Sequence, residues 1–179
     1  MPDQTPAEPK PPGVQLTGWL CAVVRSHQTG VLADLRRPNA ITRSHLTAAA
    51  FAPEEEYRKV FETTAFLFAR YHAGATVPKS GYGNVGSALR KIGSGAGRGP
   101  DDPGAARLLD RLVASREIPW RHLQHAIERA RACEAQPPSW AQLTDDLCQW
   151  KTRRRPETVP YTWARSFYTP TFIKNGPAR

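Results

Sequence analysis

Residues 53–74 read Pro-Glu-Glu-Glu-Tyr-Arg-Lys-Val-Phe-Glu-Thr-Thr-Ala-Phe-Leu-Phe-Ala-Arg-Tyr-His-Ala-Gly, and their spacing decides the fold class. Tyr57, Val60, Phe61, Ala65, Phe68 and Tyr71 recur at the three- and four-residue steps of an amphipathic helix. Pro53 suits a helix start, Glu54, Glu55 and Glu56 lie where the helix dipole favours anions, and Gly74 ends the run. The same period continues on both sides. Toward the N-terminus, Leu16, Trp19, Leu20, Val23, Val24 and His27 form one stripe, Val31–Arg37 a short helix stopped by Pro38, and Thr42–Phe51 a third. Toward the C-terminus, Asn84 is a good N-cap for a short helix running through Leu89 to Ile92. Asp102-Pro103 opens a helix with Ala105, Leu108, Leu109, Leu112 and Val113 inward, and Pro119 opens one with Trp120, Leu123, Ile127 and Ala130 inward. Ser139-Trp-Ala-Gln142 is a capping box for a helix with Trp140, Leu143, Leu147 and Trp150 on its core face. A last helix over Pro160–Tyr168 presents Trp163 and Phe167. No segment alternates with period two for the length of a strand.

The expected fold is therefore all-α, a bundle of eight or nine helices in two small lobes. The boundaries are a flexible Pro-rich tail over 1–13, an N-terminal helical lobe over 14–92, a Gly-rich loop over 93–104, a C-terminal helical lobe over 105–168, and a second flexible tail over 169–179. At 179 residues the chain can bury a core without disulfides or metal.

Charge narrows the function. Lys and Arg number 25 against 16 Asp and Glu, a net charge of +9, and nineteen of the 25 are Arg. Arg grips phosphate bidentately and stacks on flat π surfaces, so the excess points to nucleic acid. It is uneven: residues 1–83 carry +2 and residues 84–179 carry +7. Leu35-Arg36-Arg37 ends a short helix, Arg90-Lys91 sits beside the Gly-rich loop, and Arg153-Arg154-Arg155 is the densest cluster. Arg107 and Arg111 share the face opposite Leu108 and Leu112, and Arg121 shares one side of its helix with Arg129.

Other classes fall away. No run approaches the apolar length of a membrane helix, and the first residues have no basic-then-apolar signal pattern, which reads as cytoplasmic. Cys21, Cys133 and Cys148 form no Cys-x-x-Cys pair and sit in apolar helical patterns, as buried thiols. Gly81-x-Gly83-x-x-Gly86 matches a dinucleotide pattern but lacks the strand before it, and reads as a glycine-rich turn into a helix. His122 and His125 lack the further ligands of a metal site, and the pairs Asp101/Asp102 and Asp145/Asp146 fit helix-start and salt-bridge roles. No enzyme, metal or cofactor is expected.

Gly30-Val-Leu-Ala-Asp-Leu-Arg-Arg37, Asn84-Val-Gly-Ser-Ala-Leu-Arg90, Trp140-Ala-Gln-Leu-Thr-Asp-Asp-Leu-Cys-Gln-Trp150 and Trp163-Ala-Arg-Ser-Phe-Tyr168 occur in this order and spacing. Together they resemble the CasB family, the small subunit of the type I-E CRISPR surveillance complex Cascade, over roughly residues 16–168. The chain departs from that pattern at Pro156 and Pro160, within the basic lead-in to the last helix, and at Ser166, where an acid is usual. The resemblance implies a non-catalytic helical subunit. It would pair with a second copy of itself and lie against the Cascade backbone and large subunits. There it would help hold crRNA-guided target DNA and the displaced strand in the R-loop. It also implies nucleic-acid roles for Arg36, Arg37, Arg90 and Arg153, Arg154 and Arg155; Lys91, Arg107, Arg111 and Arg121 join them from position and charge. The rival reading is a stand-alone helical DNA-binding regulator, which would need a helix–turn–helix with a polar recognition helix; none is visible.

Overall fold

The computed structural model describes residues 9–94, 97–150 and 158–169. Among these residues stand nine α-helices: α1 (Pro12–Arg25), α2 (Thr29–Leu35), α3 (Arg43–Ala49), α4 (Arg58–Tyr71), α5 (Val85–Leu89), α6 (Pro103–Val113), α7 (Trp120–Ala132), α8 (Trp140–Cys148) and α9 (Val159–Tyr168). The all-α expectation holds. Most of the residues assigned to the two tails, and all of Arg153, Arg154 and Arg155, lie outside the described residues.

Several ends differ from the sequence reading, each for a local reason. α1 starts at Pro12, inside the stretch assigned to the tail, because proline has no N–H to leave unbonded there. It stops at Arg25, where the Ser26 hydroxyl donates back to the Ala22 carbonyl at 2.7 Å. His27 then takes a left-handed φ of 54° and is exposed, off the apolar stripe to which its spacing assigned it. The acidic opening of the fourth helix is wound as a 3-10 turn over Glu55–Tyr57 before α4 proper, a common form of helix N-terminus. Within the Gly-rich loop, β1 (Gly93–Ser94) and β2 (Gly97–Arg98) make a two-residue antiparallel ladder that period-two reading has no length to detect. Cys21 is buried and Cys148 half-buried, but Cys133 is exposed, because α7 ends at Ala132 and leaves it just past the helix.

α4 is the centre. It packs on α1, α2, α3, α7 and α8, and Phe61, Thr64, Ala65, Leu67, Phe68 and Ala69 are all buried, more of its circumference than one amphipathic face. α8, from the second half of the chain, lies against α1 and α4, while α5, from the first half, packs on α9. The chain is thus interleaved.

Two contacts fix that interleaving. The Trp140 ring meets Phe68 edge-on, with centroids 5.3 Å apart, and its Nε1 donates to the Lys79 carbonyl at 2.9 Å. Beside it, His72 is wholly buried and stacked on Phe68 at 3.9 Å. Its Nδ1 donates to the Phe68 carbonyl and its Nε2 accepts from the Lys79 N–H, both at 2.9 Å, which requires the neutral ring. Burial, reinforced by the Lys79 charge, pushes its pKa down to about 4. The second contact is the crossing of α5 and α9. A Cβ on Gly86 would lie 1.9 Å from the Trp163 carbonyl oxygen, so only glycine permits the approach. Asn84 caps α5 through its Oδ1, 3.0 Å from the Ser87 N–H, and its Nδ2 donates to Ser166 Oγ at 2.8 Å. Trp163 Nε1 donates to Asp146 at 2.7 Å, tying α9 to α8.

Gly86→Ala is expected to destabilise the protein by about 1–3 kcal/mol through forced separation of α5 and α9. Gly18→Ala, in an open helical position, is expected to stabilise by roughly 0.5–1 kcal/mol; urea melts of the two variants test both signs. The folded pKa of His72 lies below the unfolded 6.5, so its contribution is complete above that pH and declines as the pH falls toward 4. Denaturation at pH 7.5 and 4.5 should show a loss smaller by roughly 3 kcal/mol in His72→Gln than in the parent; equal losses would remove His72 from this role.

Candidate nucleic-acid interface

The side of α4 that its neighbours leave open carries Lys59, Glu62, Thr63, Phe66 and Arg70, a helical stripe at i, i+3, i+4, i+7 and i+11. These residues line the first two of three clefts that follow one another from α4 and α7 to the segment after α4. The first is lined by Lys59, Glu62 and Phe66 of α4, Trp120 and Gln124 of α7, and the Arg37–Ile41 corner after α2. One helical turn on, Arg36, Arg70, Ala73, Glu128, Arg131 and Ala132 line the second. Ala73 and Arg131 are shared with the third, which adds Lys79 and Glu134. Along the whole groove six basic side chains face three acidic ones.

The arginines are there for an elementary reason. The C-terminal ends of α2, α4 and α7 converge on the second cleft, and the negative end of a helix dipole favours cations. Arg36 is the C-cap residue of α2, while Arg70 and Arg131 lie in the last turns of α4 and α7. Their charges are unequally compensated. Arg70 donates through Nε to Glu128 Oε1 at 2.9 Å and through Nη2 to the same oxygen. Gln124 adds a third bond to Glu128 at 3.0 Å. Burial would raise the Glu128 pKa, but the Gln124 and Arg70 bonds outweigh it and hold the carboxyl below its ordinary value. Arg131 donates to a neutral acceptor, the Ala73 carbonyl, at 2.6 Å. Lys79 sits 5.9 Å from the Tyr71 ring centroid and meets no carboxylate among the described residues. The Arg36 side chain makes no hydrogen bond or ion pair among them, while its backbone N–H donates to the Leu32 carbonyl at 3.2 Å. Arg36, Arg131 and Lys79 therefore carry the uncompensated charge of the groove.

The residues singled out from the sequence are distributed as follows. Arg36 and Arg37 part at the end of α2, one into the second cleft and the other into the first, where Arg37 also lies 3.9 Å from Asp34. Arg121 is exposed in the first turn of α7, beside Trp120 of the first cleft. Arg107 and Arg111 are exposed on α6, which contributes nothing to the groove lining. Arg90 is half-buried and its Nη1 donates to the Phe167 carbonyl, so part of its donor set serves the α5–α9 crossing. Lys91 is exposed, with its ammonium 5.9 Å from the Tyr82 centroid. Arg70, Arg131 and Lys79 are not among the residues singled out; in sequence Arg70 and Arg131 are single cations near helix ends and Lys79 a single cation in the link after α4, and only the packing of α2, α4 and α7 brings them to one groove. Arg129, by contrast, is held at 2.8 Å by Asp102, which also caps α6 by accepting from the Ala105 N–H at 2.7 Å. Among the described residues no group of three or more His, Cys, Asp and Glu is placed to hold a metal ion, and no helix is long and apolar enough to cross a membrane.

A sequence profile described as CRISPR-associated protein Cse2 matches residues 31–168. The match takes in α3 to α9 and nearly all of α2, and so every groove residue named above. No curated protein and no solved structure matches the chain.

Proposed function

The chain belongs to the Cse2 family of CRISPR-associated proteins, subunits of the Cascade surveillance complex, and from that membership we propose that its α4–α7 groove grips the backbone of single-stranded target DNA and stabilises the R-loop. Exchanging a DNA duplex for a guide–target hybrid is nearly balanced in free energy. A subunit that holds the displaced strand needs to supply only a small bias toward the open state. Because the guide reads sequence, phosphate contacts without base recognition suffice, and Arg offers them with stacking surfaces close by.

The observation that carries this reading is the succession Arg36, Arg131, Lys79 along one groove, three cations without a carboxylate partner among the described residues. Phe66 and Trp120, both half-buried, stand in the adjoining cleft. Arg107 and Arg111 on α6 offer a second basic face, suited in this proposal to the Cascade backbone or large subunit or to a second copy of the chain. The subunit acts by holding and not by chemistry.

Anisotropy titrations of labelled single-stranded DNA against salt test the proposal. The log–log slope should be about −0.7 per phosphate neutralised. Replacing Arg36, Arg131 and Lys79 together by Ala should flatten it by about 2, whereas Arg107→Ala/Arg111→Ala should leave it near the parent value. Cascade reconstituted with the triple variant should release its R-loop faster than the parent complex. An affinity indifferent to salt, or a strong preference for one DNA sequence, would overturn the reading.

A further inference from the structure

The glycine pattern Gly81-Tyr-Gly-Asn-Val-Gly86 has a use unrelated to dinucleotides. Residues 80–83 are stitched along residues 137–140: the Tyr82 N–H donates to the Pro137 carbonyl at 3.2 Å, the Ser139 N–H to the Gly83 carbonyl at 2.8 Å, and the Trp140 N–H to the Ser80 carbonyl at 3.3 Å. Gly81 and Gly83 have φ of 77° and 68°. A Cβ on Gly81 would lie 1.9 Å from the Pro138 oxygen, so the segment needs glycine on both counts. Between these two glycines the Tyr82 side chain stands 76% exposed. A fixed backbone thus holds a large aromatic ring out in solvent, where its own burial contributes little to folding.

The surroundings of the ring are cationic. The Lys91 ammonium lies 5.9 Å from its centroid. Lys91 leads into β1, whose Gly93 pairs with the exposed Arg98. On the other side, Lys79 ends the arginine groove and precedes Tyr82 by three residues, a span of at most about 10 Å. That is about three stacked nucleotides at 3.4 Å per step. The other exposed apolar side chain of this loop is Val77, too small to anchor a protein interface alone.

We propose that Tyr82 is a stacking post for an unpaired base of the strand that the groove grips, with Lys91 contacting the adjacent phosphate. The inference rests on the proposed single-strand role of the groove and adds a site outside it. Stacking is sequence-tolerant and is weakened by deletion of the ring but not of the hydroxyl. Pre-ordering of the loop lowers the entropy cost of capture.

The test uses the full chain and labelled single-stranded oligonucleotides, with and without 5-iodouracil for photo-crosslinking. Tyr82→Phe should bind within about twofold of the parent, whereas Tyr82→Ala should bind roughly 5- to 150-fold more weakly. The Tyr82→Ala salt slope should stay unchanged, because no phosphate contact is lost; Lys91→Ala should flatten it by about 0.7. Crosslinked peptides should contain Tyr82. Thermal melts of Tyr82→Ala should match the parent, as the exposure of the ring requires. If the parent binds with a steep salt slope but Tyr82→Ala binds equally well, the stacking post is wrong and the groove stands. If the parent itself shows no salt-dependent binding, the groove reading fails first. If Tyr82→Ala binds DNA normally but no longer enters the reconstituted complex, Tyr82 is a protein contact and the inference is overturned.

Discussion

The near-complete enclosure of α4 is the constraint from which the rest of the molecule follows. Five helices must find room around it, and they come from both halves of the chain. Burying Phe61, Leu67 and Phe68 together removes enough apolar surface from water to contribute several kcal/mol. One strip of α4, carrying Lys59, Glu62, Phe66 and Arg70, stays open and lines the clefts beside α7. The groove is therefore the part of the central helix that packing does not cover. Its floor inherits the rigidity of the core, since the residues between its lining positions are locked in it.

The electrostatics of the groove follow from helix ends more than from a dense basic run. Each C-terminus that reaches the second cleft draws a cation for its own stability, and three of them meet there. Of the three arginines of the second cleft, Arg70 is the one that the Glu128 carboxylate pairs with among the described residues. Arg36 and Arg131 stay available to an outside anion, and their planar guanidinium groups suit phosphate better than an ammonium would. A polyanion in the groove would replace the weak attraction of helix carbonyls by full charge pairing.

The helices were legible because their apolar periods are long and their start signals are chemical. Asn84, Asp102 and Ser139 were assigned as starts from residue type and indeed accept the N–H three residues on. Helix ends were less legible, as at Ser26 and His27, where a hydroxyl competes with the next turn. The meeting of distant segments was not legible at all. Nothing local marks Gly86 as the place where α9 crosses α5, since its contact lies 77 residues away at Trp163. Two of the segments that carry the family resemblance, Asn84–Arg90 and Trp163–Tyr168, are the two sides of that crossing. Much of what made the chain recognisable is therefore packing, which explains why Arg90, inside one such segment, contributes a bond to the fold. The groove cations lay outside those segments except for Arg36 and Arg37.

The unequal fates of the three cysteines have a practical corollary. Burial raises the Cys21 thiol, and burial with the Asp145 and Glu56 charges raises Cys148 to about 11, so both are poor nucleophiles at neutral pH. Cys133 is exposed between Arg131 and Glu134, at the far mouth of the groove. The native chain thus comes with one addressable handle, and a maleimide dye coupled there would sit within sight of whatever the groove holds.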